Sequence, residues 1–191
     1  MIIRNFAIKK SREEAKKEAS RKGFIARLFS GKGREDIVMK TLYIENRLIT
    51  FEITSPPPLF ERLFRRGATP RKSKIEMIAN GSTCGVSYYD RRGVETVESE
   101  VGEEEVQLSD FSDETLITRG NALARRILRR RVGGNLSLDV LKVEIVFRPY
   151  HVAFFGEPPE GEKVYYLPIA ADGCSVKRTF KKNFSAIKQG E

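Results

Sequence analysis

The chain has 191 residues, with 35 Lys and Arg against 26 Asp and Glu, a net charge of +9 and a sequence pI near 9.6. A hydrophobic share of 40% beside a charged share of 32% is that of a water-soluble globule, and excludes a disordered or membrane-embedded chain. The positive balance suits a nucleic acid, an anionic membrane surface or an acidic protein as partner, and charge by itself does not choose among them.

The N-terminus, MIIRNFAIKKSREEAKKEA, lacks an apolar run of signal-peptide length, and no stretch approaches the ~20 apolar residues of a membrane span, so the chain reads as cytoplasmic. Cys84 and Cys174 fall outside any CxxC or metal-ligand spacing and read as reduced thiols. His151 is the only histidine, which excludes sites needing two imidazoles. Gly31-Lys-Gly33 and Gly133-Gly134 are too short for a phosphate-binding fingerprint. No metal, cofactor or catalytic constellation is expected.

In chain order, Ser11-Arg-Glu-Glu14 reads as a capping box opening a helix. Ala15, Ala19, Ile25, Ala26, Leu28 and Phe29 supply its apolar side, Lys16, Lys17, Arg21 and Lys22 its outer side, and Ser30-Gly31 its end. The runs 40–45 and 47–53 are rich in β-branched and aromatic residues and predict one long strand or two short ones. A proline-led loop over 56–72 follows, then a strand over 73–79, the turn signal Asn80-Gly81, and a strand over 85–89. The acidic stretch 96–111 reads as a linker.

A second helix is expected from near Ser112 to Gly133-Gly134. On its wheel Leu116, Gly120, Leu123, Ala124 and Ile127 share one face, and Arg119, Arg125, Arg126 and Arg129 the opposite one. Strands are then expected over 138–147, 151–155 and 163–169.

The two halves read as copies. Tyr43–Phe51 aligns without a gap with Val146–Phe154, and each segment leads to a proline loop, a lysine-led strand, then a turn carrying Gly, Cys and Val. The fold class expected is α+β: two repeated helix-plus-antiparallel-strands units packed as a pseudo-symmetric pair. Residues 1–95 would form the first unit with an insertion at 56–72, 96–111 the acidic linker, and 112–191 the second unit. The competing reading is a single α+β domain whose half-buried strands merely look alike.

The unit is a helix with paired alanines, two or three strands and a closing turn: Asn80-Gly-Ser-Thr-Cys-Gly-Val86 and Asp172-Gly-Cys-Ser-Val176. As a pattern over roughly residues 11–89 and 112–180, it resembles the PepSY family of small domains. The resemblance implies a non-enzymatic interaction or inhibitory module, of the sort found beside peptidases and in cell-envelope proteins, and brings no functional residue with it.

Two features stand out from the shared scaffold. Within the insertion, Leu59, Phe60, Leu63 and Phe64 would line one side of a short helix, either docking a protein partner or a membrane surface, or lidding the chain's own sheet. The arginine face of the second helix would bind nucleic acid or another anionic surface, unless it is a solvated face or pairs with the acidic stretch before it. The function expected is therefore a non-enzymatic interaction or regulatory module, with electrostatic nucleic-acid or anionic-surface binding as the alternative. Edge strands could also pair across a homodimer.

Overall fold

The computed structural model describes residues 1–22, 37–57, 69–90, 94–131, 136–155 and 166–173. The fold is α+β. In chain order the elements are β1 (Ile2–Phe6), α1 (Arg12–Lys22), β2 (Ile37–Ser55), β3 (Arg71–Asn80), β4 (Val86–Tyr88), β5 (Thr96–Glu100), a 3-10 turn (Glu103–Glu105), β6 (Val106–Gln107), α2 (Asp113–Arg131), β7 (Ser137–Phe155) and β8 (Tyr166–Ala170). No helix among the described residues is long and apolar enough to cross a membrane.

Contacts gather the chain into two compact units drawn from interleaved stretches: Met1–Glu45, Gly93–Leu108 and Val146–Glu191 in the first, Asn46–Arg92 and Ser109–Ile145 in the second. β2 and β7 each contribute residues to both.

In the first unit β1 pairs antiparallel with all of β5, from Ile2↔Glu100 to Phe6↔Thr96, and parallel with β7 at Asn5↔Phe147. β6 runs parallel to β2 at Tyr43↔Val106 and Ile44↔Gln107, and β8 antiparallel to β7 from Tyr150↔Ala170 to Phe154↔Tyr166. Successive side chains of a strand point to opposite faces, so the C-terminal part of β7 serves two cores. Ala153 and Phe155 meet Ala15 and Ala19 of α1, together with Ile37 and Ile169. Tyr150, Val152 and Phe154 meet Leu42 and Ile44. Burial on both faces is why this stretch reads as a continuous apolar run.

α1 starts where its capping box says it should. The Glu14 backbone N–H donates to Ser11 Oγ at 3.2 Å, and the Ser11 N–H donates to Glu14 Oε2 at 2.9 Å. Both alanines on its inner side are fully buried.

In the second unit β2 pairs antiparallel with β3 from Asn46↔Asn80 to Ser55↔Arg71, and β3 with β4 from Met77↔Tyr88 to Ala79↔Val86. The core joins Ile49, Phe51 and Ile53 of β2, Ile75, Met77 and Ala79 of β3, Leu116, Ala124 and Leu128 of α2, and Leu138 of β7. Gly120 is the point of closest approach: a Cβ there would lie 3.2 Å from Ile49 Cδ1 and 3.4 Å from the Phe51 ring. The turn after β3 is built on Asn80, whose Oδ1 accepts the N–H groups of Ser82 and Thr83, both at 2.9 Å. It places Cys84 at φ 53°, the one non-glycine residue with positive φ among those described.

Of the two readings of 40–53 the single long strand holds, while several other expectations shift. The runs expected at 138–147 and 151–155 are one long strand passing straight through Pro149. The stretch 96–111, acidic enough to read as a linker, carries β5, the 3-10 turn and β6. In β5 the acidic side chains Glu98 and Glu100 are exposed, while the backbone pairs with β1. The pairing is not antiparallel throughout, because β1 and β6 enter parallel. β1 itself was not foreseen. The expected end of α1 near Ser30-Gly31, the Gly133-Gly134 stop, Lys163 and Cys174 lie outside the described residues.

Candidate anion-binding face and buried polar networks

α2 is fixed by its inner side. Leu116, Gly120 and Ala124 are buried at steps of four, and Leu123 and Ile127 are half-buried against the same core. That register turns Arg119, Arg126 and Arg129 to solvent, while Arg125 is half-buried, its Nε donating to Asn121 Oδ1 at 2.7 Å one turn back. Arg125, Arg126 and Arg129 line a shallow groove with Ala122. Among the described residues, Arg119, Arg126 and Arg129 have no hydrogen-bond or ion-pair partner. The acidic N-terminus of the helix turns elsewhere: Asp113 accepts from Arg47 Nε at 2.7 Å. The guanidinium row is therefore not paired off by the acidic stretch that precedes it.

A second polar assembly lies in the first unit, around His151. Its Nε2 is 2.8 Å from the backbone carbonyl of Lys10, and its Nδ1 is 3.2 Å from Thr41 Oγ1. A carbonyl only accepts, so Nε2 carries a proton, and in the neutral ring Nδ1 then accepts from the Thr41 hydroxyl. Thr41 Oγ1 in turn accepts from Arg12 Nε at 3.0 Å. Both ring nitrogens are committed and the residue is 3% exposed, so the imidazole ties the segment before α1 to β2 and β7.

The third is an ion pair. Arg148 Nε and Nη2 donate to Asp172 Oδ2 and Oδ1 at 2.6 and 3.2 Å, the forked geometry that makes arginine–carboxylate pairs strong. Burial distinguishes it from the surface pairs, since the Asp172 side chain is 1% exposed. It anchors the turn after β8, where the Ala171 carbonyl accepts from the backbone N–H groups of Lys9 and Lys10 at 2.8 and 2.9 Å.

The structure thus places Arg119, Arg125, Arg126 and Arg129 on one helix face. Leu59, Phe60, Leu63 and Phe64 lie outside the described residues. Sequence reading missed the His151 and Arg148 networks, whose partners stand 110 and 24 residues away in the chain, too far for any local pattern. Among the described residues no group of three or more His, Cys, Asp or Glu side chains is arranged to hold a metal ion. No family model, no curated protein and no solved structure matches this chain.

Proposed function

We propose that the chain is a non-enzymatic interaction module that binds the phosphate backbone of nucleic acid through the exposed arginine face of α2. The observation that carries this reading is the row Arg119, Arg126 and Arg129, exposed and without an ion-pair partner among the described residues. At 1.5 Å rise per residue the row spans about 15 Å, over which one strand of B-form DNA presents roughly four phosphates. A guanidinium fork matches phosphate oxygens, and such contacts position a protein on nucleic acid without reading sequence. An interaction module is also what the resemblance to PepSY domains implies.

Binding of a double-stranded DNA fragment across a salt series tests it. Affinity should fall steeply with salt, with a log–log slope of about −0.9 per phosphate neutralised. Substituting Arg119, Arg126 and Arg129 by Gln should flatten that slope by roughly 2 to 3. Absence of binding at low salt, or a slope indifferent to the three substitutions, overturns the reading. The alternative contact through Leu59, Phe60, Leu63 and Phe64 predicts a protein partner lost on Phe60→Ser with Phe64→Ser and no change in stability.

We further propose that the scaffold is a duplicated helix-plus-strands unit, packed as a pseudo-symmetric pair, with a short strand leading into each helix. The pairing registers support it. Ile44 and Phe147 are aligned positions, and each receives a short parallel strand that precedes a helix: Gln107 of β6 and Asn5 of β1 respectively. Arg47 and Tyr150 are also aligned, and each pairs with an alanine of the returning strand, Ala79 and Ala170. Each return ends on a carbonyl that accepts from the segment leading into a helix: Gly81 from Asp110, Ala171 from Lys9 and Lys10.

A further inference from the structure

α1 carries a groove of its own. It is lined by Lys9, Lys10, Glu14, Lys17, Glu18, Arg21, Lys22 and Gly173, all belonging to the first unit. Five cations face two carboxylates, and which cations are paired depends on where those carboxylates are spent. Glu18 is bound at both oxygens, by Lys10 Nζ at 2.6 Å and Lys22 Nζ at 2.5 Å, and these bonds hold its carboxyl below the usual glutamate range. Glu14 Oε2 is taken by the backbone N–H and hydroxyl of Ser11, at 2.9 and 3.2 Å. Glu18 is thus paired with Lys10 and Lys22, while Glu14 keeps its charge, and the five cations against two carboxylates leave the groove net positive.

Lys17 and Arg21 stand one turn apart on the side of α1 opposite the buried Ala15 and Ala19, and both are exposed. Neither has a side-chain partner within ion-pair distance among the described residues, although Lys17 lies within Coulombic reach of Glu14. Gly173 closes the groove at φ 76°, a left-handed turn that favours glycine; a Cβ there would sit 3.6 Å from the Lys9 stem.

We infer that the α1 groove is a second phosphate-binding site, with Lys17 and Arg21 as its contact cations and the Lys10–Glu18–Lys22 bridge as its wall. It rests on the reading of α2 as a face for the nucleic-acid backbone and extends it: both helices bury one side and turn a cationic side outward, each within its own unit. Like the α2 face, the groove presents charge without base-reading side chains and takes phosphates regardless of sequence.

The salt series with a double-stranded DNA fragment separates the two sites. Three variants of the full chain are compared with wild type: Lys17→Ala/Arg21→Ala in the groove, the triple Gln variant of α2, and Lys40→Ala/Lys74→Ala as a control that removes two exposed charges elsewhere. The groove variant should flatten the slope by about 1.8, the sum for two phosphate contacts, while the control leaves it nearly unchanged. Far-UV circular dichroism verifies that all variants fold.

A groove variant with the wild-type slope, beside an α2 variant with a flattened one, overturns this inference and leaves the function standing. A control as damaging as the groove variant overturns it too, because net charge alone would then account for the effect. A flattened slope in the groove variant but not in the α2 variant supports the groove and overturns the role of the arginine row. If wild type fails to bind DNA at low salt, both readings fall together.

Discussion

Replacing Asp172 by Ala should expose how much the buried pair with Arg148 matters to the first unit. The substitution removes two hydrogen bonds, of 2.6 and 3.2 Å, and leaves a guanidinium whose side chain is 12% exposed. Removing one partner of a buried pair costs about 3–5 kcal/mol, because the remaining charge stays desolvated without compensation. Arg148 keeps other favourable neighbours, among them the Tyr150 ring, whose centroid lies 5.5 Å away, so the loss belongs near the lower end. At roughly 2–4 °C per kcal/mol for a chain of this size, about 3 kcal/mol lowers Tm by about 6–12 °C. Urea denaturation followed by far-UV circular dichroism measures it, since the chain has no tryptophan to report fluorescence. About 1 M salt should leave the difference largely intact, because buried charges are weakly screened. The double variant Arg148→Met/Asp172→Leu should recover at least half of the loss, having no stranded charge. A loss below about 1 kcal/mol in the single variant, or a double variant as unstable as the single, would refute the desolvation argument.

Three further outcomes follow from the geometry. Ser11→Ala should cost about 1 kcal/mol and speed amide exchange in the first turn of α1, because the Glu14 N–H loses its acceptor. Gly120→Ala should stay within about 1 kcal/mol of wild type, since the gain in helix propensity offsets a contact with a movable Ile49 methyl. Gly120→Val should lose roughly 1–3 kcal/mol as its extra methyls meet the Phe51 ring, with both variants measured by thermal melting. Glu18 is held below the ordinary glutamate value of 4.5 by its bonds to Lys10 and then Lys22. A depressed folded pKa means that its contribution is complete above that value and is lost as pH falls through the folded pKa. A carboxyl NMR titration of Glu18 with its midpoint at or above 4.5 would contradict this.

The elements written in local pattern were legible from the sequence, and those written in pairing were not. The capping box of Ser11 and Glu14, the Asn80 turn and the two-sided wheel of α2 each depend on residues within a turn or two, and each stands as read. β1 is only five residues long and both its partners are remote, so nothing nearby announced Ile2-Ile-Arg-Asn-Phe6 as a strand. β5 was hidden for a different reason: its acidic side chains face water, and composition reported the side chains while the backbone was doing the pairing. The arginine face of α2 was readable because helical period alone sorts it from the core. The α1 groove was not, because what sets Lys17 and Arg21 apart from Lys10 and Lys22 is the pairing of Glu18, a matter of individual oxygen atoms.

The partners of β1 also set a timetable for biosynthesis. This strand leaves the ribosome well before the residues it pairs with, 96–100 and Phe147. The stretches of the second unit are complete once Ile145 has emerged, whereas the first unit still awaits β7 beyond Val146 and β8. At about 5–20 residues per second, β1 spends many seconds without its partners. Ile3 and Phe6, both buried in the folded unit, lack their cover throughout that interval and are open to other chains.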